Sequence, residues 1–186
     1  MSEESFQLKK DTESFLKAGV VVLAAVYFFW NLRDFRWNIL DNVNLIIHEA
    51  GHPIFSILGR FIGMAGGTIM QISVPLAFVL YFLFTKRPFS AAIVMFWLGQ
   101  SILNVSVYAA DAVVTKLPLV GGPIHDWNYM LSHLNLLPRT RLIAGTFRST
   151  GVLIMIAATV IGLFTSFYEK PELPHDDIDH IQTNGL

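Results

Sequence analysis

An all-α integral membrane protein with about five transmembrane helices is the fold class this sequence predicts. Three observations predict it. Apolar residues make up 53% of the 186 and charged residues only 15%, where a soluble domain carries about 25% charged. Mean hydropathy is +0.52. The apolar residues also gather into runs close to the ~20 residues that a spanning helix needs. Net charge is −1, too even a balance to suggest nucleic acid as a partner, so membrane lipids are the expected surroundings. The chain has no cysteine. Disulfides and thiolate ligands are therefore excluded, and any metal must be held by His, Asp or Glu.

The polar opening "MSEESFQLKKDTESFLK" is too long for the charged start of a typical signal peptide, so residues 1–15 read as a polar N-terminal segment before a retained anchor. The membrane domain is expected over 16–168. Its first run extends from about Leu16 to Asn31, with Trp30 and Trp37 suited to the interface. The second, from about Trp37 to Phe61, carries Asp41, Asn42 and Asn44, so that face is expected to meet protein or trapped water. The glycines of "GMAGGTIMQ", Gly63 to Gln71, are expected to break the helix into a re-entrant or hairpin element. Such backbone is tolerated at membrane depth only under cover of protein or water. Further runs extend from about Ile72 to Thr85, Ser90 to Val114 and Leu142 to Phe167. Between the last two lies a loop rich in Gly, Pro and aromatics, "TKLPLVGGPIHDWNYMLSHLNLLPRTR". Residues 169–186 form an acidic tail, expected to be disordered, whose His175 and His180 are only a weak metal tract. Basic residues fall on both sides of any five-helix arrangement, so charge does not orient the chain.

The second run contains "NLIIHEAGHPIF". Two imidazoles four residues apart lie on one helical face and can hold one Zn2+ between them, which points to His48 and His52. Glu49, one step round, can serve as general base toward a water at the metal. Glutamate is costly in an apolar run, which argues against chance.

A catalytic zinc usually keeps three protein ligands and one open position. The candidates for the third are Asp111, His125, Asp126 and His133. Gln100, Asn104, Tyr108 and Asp111 recur at helical spacing on the polar face of an apolar run, a stripe that should turn into the bundle. Asp111 is the first choice, with Asn104 as donor to a substrate carbonyl or oxyanion. The motif lies mid-helix and Asp111 near a helix end, a naive depth mismatch of about 10 Å. The loop "GGPIHDW" competes: His125 is the alternative ligand, and His125 and Asp126 are candidates for a proton shuttle. An interfacial loop anchored by Trp127 and Tyr129 is its structural alternative. His133 suits a short amphipathic surface helix.

"HEAGHPIFSILGRF" resembles the zinc-binding helix of intramembrane metalloproteases of the site-2-protease type, and the resemblance extends over about Asn44 to Asp111. It is that of a divergent branch: Asn104 precedes Asp111 by seven residues in "NVSVYAAD", with Ala112 where the family has Gly. The resemblance implies a zinc metalloprotease that hydrolyses peptide bonds in or near the bilayer, with a transmembrane or membrane-proximal peptide as substrate. It also implies a bacterial inner-membrane setting, and docking of an extended substrate on the backbone around Gly66 and Gly67. Two other readings stand beside it. One is a non-catalytic zinc-binding membrane module, a pseudoprotease or partner-binding protein, marked by a closed shell of four protein ligands. The other is a small transporter, against which stands the lack of a repeated half.

Overall fold

The computed structural model describes residues 3–32 and 37–168, with side chains from residue 11 onward. The acidic tail, with His175 and His180, lies outside the described residues. Among the described residues six α-helices follow one another: α1 (Glu3–Asn31), α2 (Ile39–Ser56), α3 (Arg60–Phe84), α4 (Pro88–Ala110), the short α5 (Asp126–His133) and α6 (Thr140–Tyr168). A 3-10 turn at Leu137–Arg139 leads into α6. There is no strand among the described residues.

Among the described residues four helical stretches are long and apolar enough to cross a membrane: Asp11–Asn31, Arg60–Phe84, Pro88–Ala110 and Leu137–Tyr168. The fifth expected span, α2, is only 18 residues long and carries Asp41, Asn44, His48, Glu49 and His52. The distribution of polarity is that of a lipid-facing protein. Leu23, Ile46, Leu142 and Phe164 are exposed, whereas Asp41, Asn44, Gln71, Gln100 and Ser101 are buried.

The α4 helix is central, packing along α6 on one side and α3 on the other, while α1 lies against α6 and α2 against α3. Phe28, Phe96, Leu103 and Met155 form the apolar core between α1, α4 and α6. At the start of α2, Asn38 accepts from the Leu40 backbone N–H, and Asp41 accepts from the Asn38 N–H, a reciprocal cap that satisfies otherwise orphaned donors.

The Gly63–Gln71 segment differs from expectation. It is the first half of the continuous helix α3, so Gly66 and Gly67 offer no extended edge to a substrate. Glycine costs about 1 kcal/mol in an exposed helix. In an apolar bundle that cost is offset by the close approach that small residues permit. A Cβ on Gly66 would lie 2.6 Å from the Gly51 carbonyl oxygen and 2.7 Å from Phe55 Cβ. The glycines therefore seat α3 directly on α2, beneath the histidines.

Candidate metal centre

One stripe of α3 supports both histidines of α2. Gly63, Gly67 and Gln71 recur every four residues, so they face the same way. The Gly63 carbonyl lies 2.9 Å from His52 Nδ1. Gly67 leaves room for the His48 ring, which a Cβ at that position would overlap. Gln71 Oε1 lies 2.9 Å from His48 Nδ1. A carbonyl oxygen only accepts, so each Nδ1 donates to it and each Nε2 is the nitrogen left to face the site. The two rings meet edge to face, with centroids 5.0 Å apart.

Both Nε2 atoms converge on one oxygen. Asp126 Oδ2 lies 3.0 Å from His48 Nε2 and 3.4 Å from His52 Nε2. Zinc bonds of about 2.0–2.1 Å at tetrahedral angles place neighbouring donors about 3.3 Å apart. Two imidazole nitrogens and one carboxylate, spaced in this way and each held from behind, fit a small divalent cation. Glu49 completes the surroundings: one ligand atom each from His48, Glu49 and His52 lie within 4.8 Å of one another.

Asp126 is set by the loop and by the first turn of α5, where the helix dipole favours an anion. Burial alone pushes its carboxyl up, but the facing imidazoles outweigh burial and hold it down at about 2. Tyr108 buttresses it: the hydroxyl accepts the Asp126 backbone N–H at 3.3 Å and donates to Oδ2 at 3.4 Å.

Asp111 is not brought to the histidines of α2. It caps the end of α4, where its carboxylate accepts the backbone N–H groups of Lys116 and Leu117 at 3.0 and 2.9 Å. The depth mismatch is not removed by unwinding, because α4 stays helical up to Ala110. His125 is turned the same way. Its Nδ1 accepts the Asn128 N–H as the cap of α5, and its Nε2 lies 3.5 Å from Asp111 Oδ2. Burial pushes the His125 imidazole down, against the pull of the Asp111 and Asp126 charges. His133 stacks beside Tyr129, with ring centroids 6.1 Å apart. Asn104 borders the site, but its amide is engaged: Oδ1 accepts from Gln71 Nε2 and Nδ2 donates to Asp41.

A cavity of about 250 Å3 opens beside His48 and Glu49, walled by Trp37, Leu45, Val107 and the strap Leu117–Val120. At the end of the strap lies Gly121, with φ +84°, where a Cβ would overlap Glu49 Oε2.

The sequence placed Asp126 among four candidates for the third ligand, behind Asp111, and also as a proton shuttle, while Gln71 and Gly63 had no part in the expected site. The four-residue spacing of Gly63, Gly67 and Gln71 was the available signal. No protein-family model matches the chain, no curated protein matches its sequence and no solved structure matches its fold.

Proposed function

We propose that the chain is a membrane-embedded zinc metallopeptidase, with His48, His52 and Asp126 holding the ion and Glu49 acting as general base. The observation that carries this is the convergence of two Nε2 atoms on the Asp126 carboxylate, with Glu49 and an apolar cavity alongside. The resemblance of "HEAGHPIFSILGRF" to the site-2-protease helix supports the choice of peptide bonds and of a bacterial inner membrane as setting.

A bound zinc ion supplies Lewis acidity, which polarises a carbonyl and acidifies water. The chain's own residues do the rest. Glu49 takes the proton of a water as its oxygen bonds to the carbonyl carbon. When the C–N bond breaks, the same carboxyl returns that proton to the leaving amine. Gln71 and the Gly63 carbonyl hold the two rings in one orientation throughout. The apolar walls exclude bulk water and suit an apolar stretch of substrate.

A closed shell of four protein donors would favour a structural centre instead. The residues that might have closed it, Asp111 and His125, face each other, and the cavity borders the site on the Glu49 side. That supports catalysis over a purely structural ion.

The test is metal analysis and peptide hydrolysis on the detergent-purified chain. One zinc per chain is expected, and Glu49→Gln should keep it while turnover falls by at least about 100-fold. Wild-type protein purified without chelators and free of zinc would sink the reading.

A further inference from the structure

Behind His48 a file of hydrogen bonds runs through three helices and ends on a fully buried carboxylate. Asp41 accepts from the Asn38 backbone N–H at 2.9 Å, from Gln100 Nε2 at 3.1 Å and from Asn104 Nδ2 at 3.0 Å. A carboxylate accepts only. The Asn104 atom facing it is therefore the NH2 group, and Asn104 presents Oδ1 to Gln71 at 2.9 Å. The Gln71 atom that meets Oδ1 must in turn be its NH2, which also lies 3.3 Å from the Ser101 carbonyl. Gln71 is left presenting Oε1 to His48 Nδ1 at 2.9 Å. Nδ1 then carries the hydrogen, and Nε2 is the nitrogen that faces Asp126 Oδ2, at 3.0 Å. Each amide has two orientations with nearly the same shape. One acceptor-only group at the end of the file selects one orientation for all of them.

We propose that Asp41 is a positioning residue: through Asn104 and Gln71 it sets the tautomer of His48 and so presents Nε2 to the metal. The proposal rests on the metal reading above for its consequence, but not for the hydrogen-bond order itself. Capping of α2 explains only the Asn38 contact of Asp41. It does not explain why two further amides from α4 end on the same oxygen, Oδ1.

A neighbouring network supplies the comparison. Asn44, also fully buried on α2, accepts from Trp97 Nε1 and Ser101 Oγ, both at 2.9 Å, and meets the file only through Ser101, whose carbonyl is a second acceptor for Gln71. It ties α2 to α4 and does not itself reach His48 Nδ1.

The experiment uses the full chain in lipid nanodiscs. 15N-histidine NMR is recorded in alkaline buffer on metal-stripped protein carrying Asp126→Ala, so that no carboxylate competes at Nε2; zinc titration against a chromophoric chelator uses the same variants with Asp126 intact. With Asp41 intact, His48 should show a hydrogen on Nδ1 and a bare Nε2. Asp41→Asn can face Asn104 with either end of its amide, so both His48 tautomers should appear and zinc affinity should fall about 10- to 100-fold. Asn44→Ala should lower thermal stability but leave both readouts unchanged. Asn104→Leu, which cuts the file while leaving Gln71 in place, should repeat the Asp41→Asn signature if that variant does not fold. A single wild-type tautomer in the variant that folds overturns the proposal, as does the same signature in Asn44→Ala. If wild type takes up no zinc, the metal reading fails, and the tautomer readout alone decides whether Asp41 sets the file.

Discussion

Asp111 and Asp126 each sit beside a histidine, 15 residues apart at the two ends of one loop, and they do opposite things. Asp111 stands at the C-terminal end of α4, where the helix dipole opposes its charge. It is stabilised by the N–H groups of Lys116 and Leu117, and so it shapes the chain that leaves the helix. Asp126 stands in the first turn of α5, where the dipole favours it, and its Oδ2 faces both histidines of α2. The comparison teaches that in this bundle the loop brings the anion to the motif, and α4 brings the anchor for that loop.

The sharpest way to break the comparison is to remove each carboxylate in turn. Asp126→Ala should lower zinc affinity by more than about 100-fold, beyond what loss of a supporting group costs. Asp111→Ala should retain zinc and lose about 1 kcal/mol of stability, the net worth of an exchanged hydrogen bond, together with some order in the strap. Equilibrium dialysis with metal analysis and a thermal melt on both variants decide it. If Asp111→Ala loses the metal and Asp126→Ala keeps it, the assignment is reversed.

A smaller effect comes from beneath the rings. Gly67→Ala places a methyl group against the His48 imidazole. Backbone on one side and the Gln71 bond on the other leave the ring little freedom, so it must tilt. Zinc affinity should fall about 10-fold, with overpacking costing about 1–3 kcal/mol. Gly145→Ala on α6 meets nothing within 4 Å and serves as the control. Equal affinity in the two variants would mean that the ring is not held as described.

These residues also show what could be read in advance. HExxH is legible because one helix turn fixes both histidines, whatever the rest of the fold. The stripe of Gln100, Asn104, Tyr108 and Asp111 is legible for the same reason: Asn104 and Tyr108 face the site, whereas Gln100 meets Asp41 and Asp111 turns to Lys116 and Leu117. Its partners Asp41 and Gln71 are not, since a hydrogen bond between helices leaves no spacing in the sequence. Gly63, Gly66 and Gly67 were read by the cost of glycine in water. In the bundle, contact with α2 outweighs that cost, so a predicted break is a packing face. Asp126 had to be chosen among loop residues with no periodicity to rank them. The dipole at the start of α5 was the one physical hint, and it depends on recognising an eight-residue helix.

The least expected change is at the far side of the site, where two adjacent glycines separate the base from the metal. Gly121 has φ +84° and a Cβ on it would meet Glu49 Oε2, whereas a Cβ on Gly122 meets nothing within 4 Å. Gly121→Ala forces a methyl group toward Glu49 Oε2 and costs about 1–2 kcal/mol in a left-handed backbone region. The carboxylate or the strap must move, so turnover should fall several-fold. Zinc affinity should hold, because His48, His52 and Asp126 are untouched. Gly122→Ala should match wild type in both. Peptide hydrolysis and zinc titration on the pair separate the two functions of the site. A loss of zinc in Gly121→Ala would place Glu49 among the ligands, and the base would have to be sought elsewhere along the cavity wall.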